Sequence, residues 1–390
     1  MKTKVNRLAV SVIFFMMLMA AVIESMRGIL VPSFKQLIGM NNTMVGTMLT
    51  LGSLGYVSAT YLADVIRSRW GSKALMLTAV SLLIGSALSL AFTTNYPMYI
   101  LGMVLMNMGL GLNSVGGNVL LPMLILTMQV FVMNSLHFMY GFGAMLGQRF
   151  SGYLVTHGVG ARQLYLGVMV IYLILLALIL VSRFPDEPEH EKSTLPISHF
   201  LKDRVYLLYV LGLSSYVFGE QGLAIWLTDY LKESFLIDEN YSSLILSTFF
   251  ILIGIGRLAG GLFVERVGRL RSVIGGMLIG VLCVTVGLLS GSRWLPLISL
   301  AGLFYSIVFP TMLVTISSNF PRSRAQAISL ILTGTSALLM VYNQLLGLLA
   351  DKIGYGLSIY LIPLATVLSI VFFIRLKIVT DQIKQESTLK

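Results

Sequence analysis

Charged groups stand in this chain where a membrane-length apolar run should carry none. Glu24 and Arg27 lie three residues apart in one such run, and Glu220 is followed directly by Gln221 in another. A charge at that depth is costly and marks by default a path for an ion or a polar solute. Glu24 and Arg27, at i and i+3, share a helical face and are close enough to pair. A carboxylate placed there can load a proton from one side and release it to the other, provided its access alternates. Glu24, Arg27 and Glu220 are therefore the ion-coupling candidates, with Glu220 first. The competing expectation is a fixed ion pair between Glu220 and Arg27 or Arg149. Arg257 reads as a structural partner for a nearby loop acid.

Amides supply the second set. Asn107, Gly111, Ser114 and Asn118 recur at helical spacing, and Asn134, His137, Gly141, Ala144 and Gln148 do the same in the next run. Amides facing lipid would leave donors unsatisfied, whereas in a central cavity they can bind the hydroxyls of a polar solute. Asn107, Ser114, Asn118, His137, Tyr140, Gln148, Gln221 and Asn343 are the substrate-binding candidates. Asn113, Gly116 and Gly117 lie off the stripe and read as helix-packing positions. Tyr140, Tyr216, Trp226, Tyr305 and Tyr342 could stack on apolar faces of a sugar, with Trp226 alternatively in an interfacial belt. Enzyme chemistry finds no footing: there is no GxxxxGK loop, no HExxH, a single cysteine (Cys283), and no histidine spacing suited to a metal. No cofactor and no metal are expected.

The elements that must position these groups are apolar helices. With 56% hydrophobic and 11% charged residues and a mean hydropathy of +0.87, the 390 residues cannot form a soluble surface. About 20 apolar residues cross the hydrocarbon core, and twelve such spans can be placed. They run roughly over 8–33, 43–66, 74–93, 97–122, 131–156 and 164–182, then 205–230, 241–264, 272–290, 294–317, 325–349 and 357–376. The expected organisation is a bundle over 1–182, a polar cytoplasmic linker over 183–204, and a second bundle with its tail over 205–390. Lysine and arginine concentrate in alternate loops, which predicts a multi-pass protein of the cell membrane with both ends cytoplasmic. Only Lys35, Arg162, Lys232, Arg293 and Lys352 fall outside, and Arg27, Arg149 and Arg257 within spans. The first span is expected to be retained rather than cleaved. The net charge of +11 is thus spread beside membrane lipid, with no separate basic domain for nucleic acid.

Two short basic loops write one unit twice. RSRWGSK, Arg67 to Lys73, and GLFVERVGRLR, Gly261 to Arg271, each follow a span and hold Gly71 and Gly268 in matching places. They resemble the signature loop of the major facilitator superfamily after spans 2 and 8. The second copy matches through Gly261, Glu265, Arg266, Gly268 and Arg269. The first matches through Arg69, Gly71 and Lys73, with Ser68 in the acidic place and Asp64 four residues earlier. The resemblance implies that Asp64, Arg69, Gly71, Glu265, Arg266, Gly268 and Arg269 gate one face, a carboxylate at a helix end pairing with arginines across the bundle.

Within that superfamily, GLGLNSVGGN (Gly109 to Asn118) and MNSLHFMYGFGAMLGQ (Met133 to Gln148) resemble the fourth and fifth spans of the fucose and glucose/galactose branch, with Ser114 where that branch has a glutamate. The spacing of Gly143, Gly147 and Gly152 is similar to a drug-exporter motif, but Gln148 replaces its proline. The resemblance implies an all-α polytopic fold of twelve transmembrane helices in two six-helix bundles. It also implies a secondary transporter that takes up a sugar or sugar-like solute with a proton or sodium ion, working as a monomer by alternating access. The alternative is proton-coupled export of drugs, amphiphiles or glycolipids, which the 22 methionines and the Glu24 to Arg27 pair would suit.

Overall fold

The computed structural model describes residues 7–125, 129–184, 196–321 and 323–388. The side chains of Asp64, Asn134 and Glu265 lie outside the described residues, as does 185–195 of the linker. The described elements are all helical: α1 (Arg7–Ile38), α2 (Asn42–Ala91), α3 (Tyr96–Leu124), α4 (Gln129–Thr156), α5 (Ala161–Val181), α6 (Ile197–Leu201), α7 (Arg204–Phe235), α8 (Glu239–Val267), α9 (Arg269–Leu289), α10 (Pro296–Tyr305), α11 (Val308–Asn319), α12 (Arg324–Ile353), α13 (Tyr355–Ser358) and α14 (Leu361–Thr388).

These make twelve spans. α2 contains two, divided at Gly71, whose φ of 83° breaks the helix; Gly268, at φ 97°, divides α8 from α9 in the corresponding place. At these φ values, with ψ extended (170° and 143°), a side chain would cost about 1–3 kcal/mol, which is why the repeated loop needs glycine there. The tenth span, expected to be continuous, is broken between α10 and α11. Pro310 has no N–H to bond the Ser306 carbonyl and crowds it, so the chain restarts its helix at Val308. Helix starts carry side-chain caps: Asn41 accepts from the Met44 N–H, Asn95 from Met98, Asp203 from Val205 and Asp238 from Tyr241.

Nine stretches among the described residues are long and apolar enough to cross a bilayer; the first half of α2, α4 and α7 are not among them. Spans one to six form one group and seven to twelve the other. The groups meet along three seams, α1 with α7, α2 with α12 and α4 with α8. Small residues set each distance. A methyl group at Gly28 of α1 would lie 2.0 Å from the Ala224 carbonyl oxygen of α7, one at Gly347 of α12 would lie 2.4 Å from the Asn42 oxygen, and one at Gly152 of α4 would lie 2.5 Å from the Glu239 oxygen. All three contacts sit toward the face opposite the chain ends, called here the distal face.

Candidate functional site

A cavity of about 20 Å³ lies on the boundary between the two groups of spans, lined from α1, α4, α7 and α8. It has room for a water molecule, far less than the roughly 300–1,000 Å³ of small-molecule pockets. Since its walls come from both groups, any separation of the groups enlarges it. Five of the sequence candidates meet here: Glu24 and Arg27 from α1, Tyr140 and Gln148 from α4, and Gln221 from α7.

Their bonding differs from the expected Glu24–Arg27 pair. Tyr140 donates its hydroxyl to the Glu24 carboxylate from the facing helix. Among the described residues, Arg27 forms no ion pair or hydrogen bond, and its Nε is buried without a partner. Gln148 is fully buried, and neither its amide nitrogen nor its amide oxygen has a partner. A lost pairing of this kind costs roughly 1–3 kcal/mol, so two such groups on one cavity are poised for something that bonds them. No methionine lines the cavity.

The remaining candidates are placed elsewhere. Asn107 donates to the Met103 carbonyl at 2.8 Å and lies against Gly52 of α2, where a methyl group would be 2.7 Å from its amide nitrogen. Asn118 turns back on its own helix, donating to the Ser114 carbonyl at 2.9 Å, while Ser114 lies beside Tyr56 of α2. Asn107 and Ser114 therefore face α2, and none of the three lines the cavity. Asn343 accepts from Trp226 Nε1 at 3.1 Å and donates to Leu339, holding α12 against α7. Trp226 is accordingly buried and not in an interfacial belt. His137 is exposed, within electrostatic reach of Arg257.

Glu220 is buried and is not among the residues lining the cavity; its carboxyl group accepts from the Tyr216 hydroxyl. It has no ion pair with Arg27 or Arg149 among the described residues. Arg149 instead bonds Asn240 of α8, lies 3.4 Å from the Ser243 hydroxyl and rests over the Tyr153 ring. On the opposite, terminal face, Arg269 donates to Ser318 of α11 at 2.9 Å, and Lys73 to the Leu180 carbonyl at 2.5 Å, both within their own group of spans. The acids expected to pair across the gating loops, Asp64 and Glu265, lie outside the described side chains. Arg69 and Arg266 are exposed.

Sequence reasoning missed a charge cluster that closes the distal face. Lys35, at the end of α1, reaches Asp229 of α7 at 2.8 Å, the Asn42 side-chain oxygen at 2.8 Å and Glu233. Tyr355 of α13 donates to the same Asp229 oxygen at 2.6 Å and lies under the Lys35 ammonium. Beside them the Asp351 carboxylate of α12 accepts the N–H groups of Asn42 and Thr43 at 2.8 and 2.6 Å, capping α2 from the other group of spans. Each of these bonds, except that from Lys35 to Asn42 and that from Tyr355 to Asp229, crosses the boundary. The available signal was Asp229 itself, an acid between Thr228 and Tyr230 inside the α7 run.

The family model for the Major Facilitator Superfamily matches residues 13–235 and 209–388. A provisionally named glucose/galactose transporter of Helicobacter pylori is 24% identical over 54% of this chain and 52% of its own. The nucleoside transporter NupG superposes with a TM-score of 0.80 at 13% identity, covering 95% of this chain and 99% of that one. The fucose:proton symporter of E. coli superposes with a TM-score of 0.65 at 18% identity, covering 96% and 99%.

Proposed function

Because this chain belongs to the major facilitator superfamily and is a membrane transporter, we propose that it takes up a sugar or sugar-like solute together with a proton, by alternating access. The observation that carries this reading is the contracted polar cavity on the boundary between the two groups of spans, walled by both. With the distal face held shut by the Lys35 cluster, rocking of the groups would part the cavity walls and transfer access from one face to the other. Gln148 and Gln221 supply donors and acceptors for solute hydroxyls, and the absence of methionine from the described lining speaks against an amphiphile. The glucose/galactose relative and the fucose:proton symporter support the same solute class.

Glu24 is the proton carrier in this reading, since it lines the cavity and Tyr140 bonds it there. Glu220 takes a different part. Tyr216 has one hydroxyl proton and two oxygens in reach, the Tyr305 carbonyl at 2.9 Å and the Glu220 carboxyl. Tyr216 thereby ties the Glu220 side chain of α7 to the backbone of α10, inside one group of spans. That placement, off the cavity lining, supports a structural part for Glu220. In this reading the transporter works in the cell membrane as a monomer built from bundles over 1–182 and 205–390, and the lysines and arginines of the terminal face support a cytoplasmic position for it.

Proteoliposome transport tests the reading. Glu24→Gln should lose accumulation driven by a pH gradient while keeping exchange of labelled for unlabelled solute. Full accumulation by that variant would remove Glu24 from coupling, and exchange of amphiphilic drugs without any sugar would replace uptake by export.

A further inference from the structure

Arg27 has an electrostatic problem that a neutral sugar does not solve. Arg27 is 7% exposed and lines the cavity, yet its natural counter-charge, Glu24 one turn away, is bound by Tyr140. Buried cations are ordinarily paired, because an unpaired one loses hydration without recompense. Around Arg27 stand further groups without partners: both amide atoms of Gln148, and the buried hydroxyls of Tyr99 and Tyr165, which lie within electrostatic reach of the guanidinium. Most of these are donors, so the missing group is one rich in acceptors and negatively charged.

Resting on the sugar-transport reading above, we propose that the solute carries a carboxylate, held by Arg27 with the Gln148 amide beside it. A carboxylate offers two coplanar oxygens to the forked N–H groups of a guanidinium. The proton assigned to Glu24 would remove the one negative charge on that wall that opposes an incoming anion. A monoanionic sugar acid fits both the charge and the hydrogen-bonding groups of the cavity.

The test is counterflow in proteoliposomes of the full chain, with D-glucuronate, D-glucose and glucose 6-phosphate as labelled probes at equal concentration. D-glucuronate should exchange at least about tenfold faster than D-glucose, the factor that a charge-assisted bond readily supplies. Arg27→Gln should lower D-glucuronate exchange by at least about tenfold, and Arg27→Lys, which keeps the charge without the fork, should recover part of it. D-glucuronate should also raise the thermal unfolding temperature of the natural protein and of Arg27→Lys but not of Arg27→Gln, a readout that separates lost binding from lost folding. D-glucose exchange equal to or faster than D-glucuronate overturns the carboxylate and leaves the sugar carrier standing. Exchange of glucose 6-phosphate alone overturns it in favour of a phosphate, and exchange of none of the three overturns both readings.

Discussion

Replacing Asp229 with asparagine should release the distal face. Asp229 is 2% exposed and Lys35 13%, and the 2.8 Å bond between them joins the two groups of spans. Asparagine keeps the shape and can still accept from Tyr355, but among the described residues Lys35 is left with Glu233, which is 46% exposed, as its carboxylate. A hydrogen bond to a charged group is worth roughly 1.5–3 kcal/mol, and a fully broken buried pair more. With Glu233 retaining part of the attraction, about 2 kcal/mol of distal closure should be lost, or about thirtyfold in the ratio of closed to open. The assay is a spin-label distance measurement between cysteines placed at Asn41 and Leu236, in the distal loops of the two groups, with Cys283→Ser as background. A second, longer distance should appear in Asp229→Asn and grow in Asp229→Asn with Glu233→Gln. Asp381→Asn is the control, because its i,i+4 bond to Lys377 lies within one helix on partly exposed side chains and is worth about 0.3–0.5 kcal/mol. An unchanged distance distribution in a folded Asp229→Asn protein would refute the argument that this cluster holds the face shut.

Three further outcomes follow from the same geometry. Gly28→Val should prevent closure of the α1–α7 seam, since even a methyl group would lie 2.0 Å from a backbone oxygen; the same labels should report a separated distal face and counterflow should vanish. Gln148→Leu should stabilise the protein against unfolding by roughly 1–3 kcal/mol, because it removes a buried amide without partners, while abolishing transport. Lower stability would mean that the amide is bonded. Glu220→Gln should retain most gradient-driven accumulation, since the amide oxygen can still accept from the Tyr216 hydroxyl, and loss of accumulation with exchange intact would return Glu220 to proton coupling.

The helices were legible because apolar length and the glycines of the repeated loops are local properties. Gly71 and Gly268 could be matched by spacing, and both hold the positive φ that spacing alone could not reveal. Partners were not legible. The stripe of Asn107, Ser114 and Asn118 places three groups on one face, but a seam against a neighbouring helix and a wall of a cavity leave the same pattern. Here Gly52 and Tyr56 of α2 occupy that face. Glu24 and Arg27 stand at pairing distance along the helix, yet Tyr140 arrives from α4 and takes the carboxylate. Lys35 reads as a loop charge until Asp229, nearly 200 residues later, folds onto it.

The least apolar helices are informative for the same reason. The first half of α2, α4 and α7 fall short of the hydropathy of a spanning helix, and α8 and α12 are the least apolar of those that reach it. These five make up the α2–α12 and α4–α8 seams and one side of the α1–α7 seam. A helix enclosed by both groups of spans meets less lipid and can carry amides and charges, whereas a peripheral one such as α5 cannot. Low hydropathy thus marks the surface where the two groups of spans meet, and under the proposed alternating access that is where groups binding solute and groups holding a face shut would have to lie. Only α1 departs from this pattern: its apolar length is high, and its polar content is concentrated in the few residues around Glu24 and Arg27. A carboxylate and a guanidinium in so apolar a helix have no structural use that α1 requires for its own folding, which directs their cost toward the cavity they face.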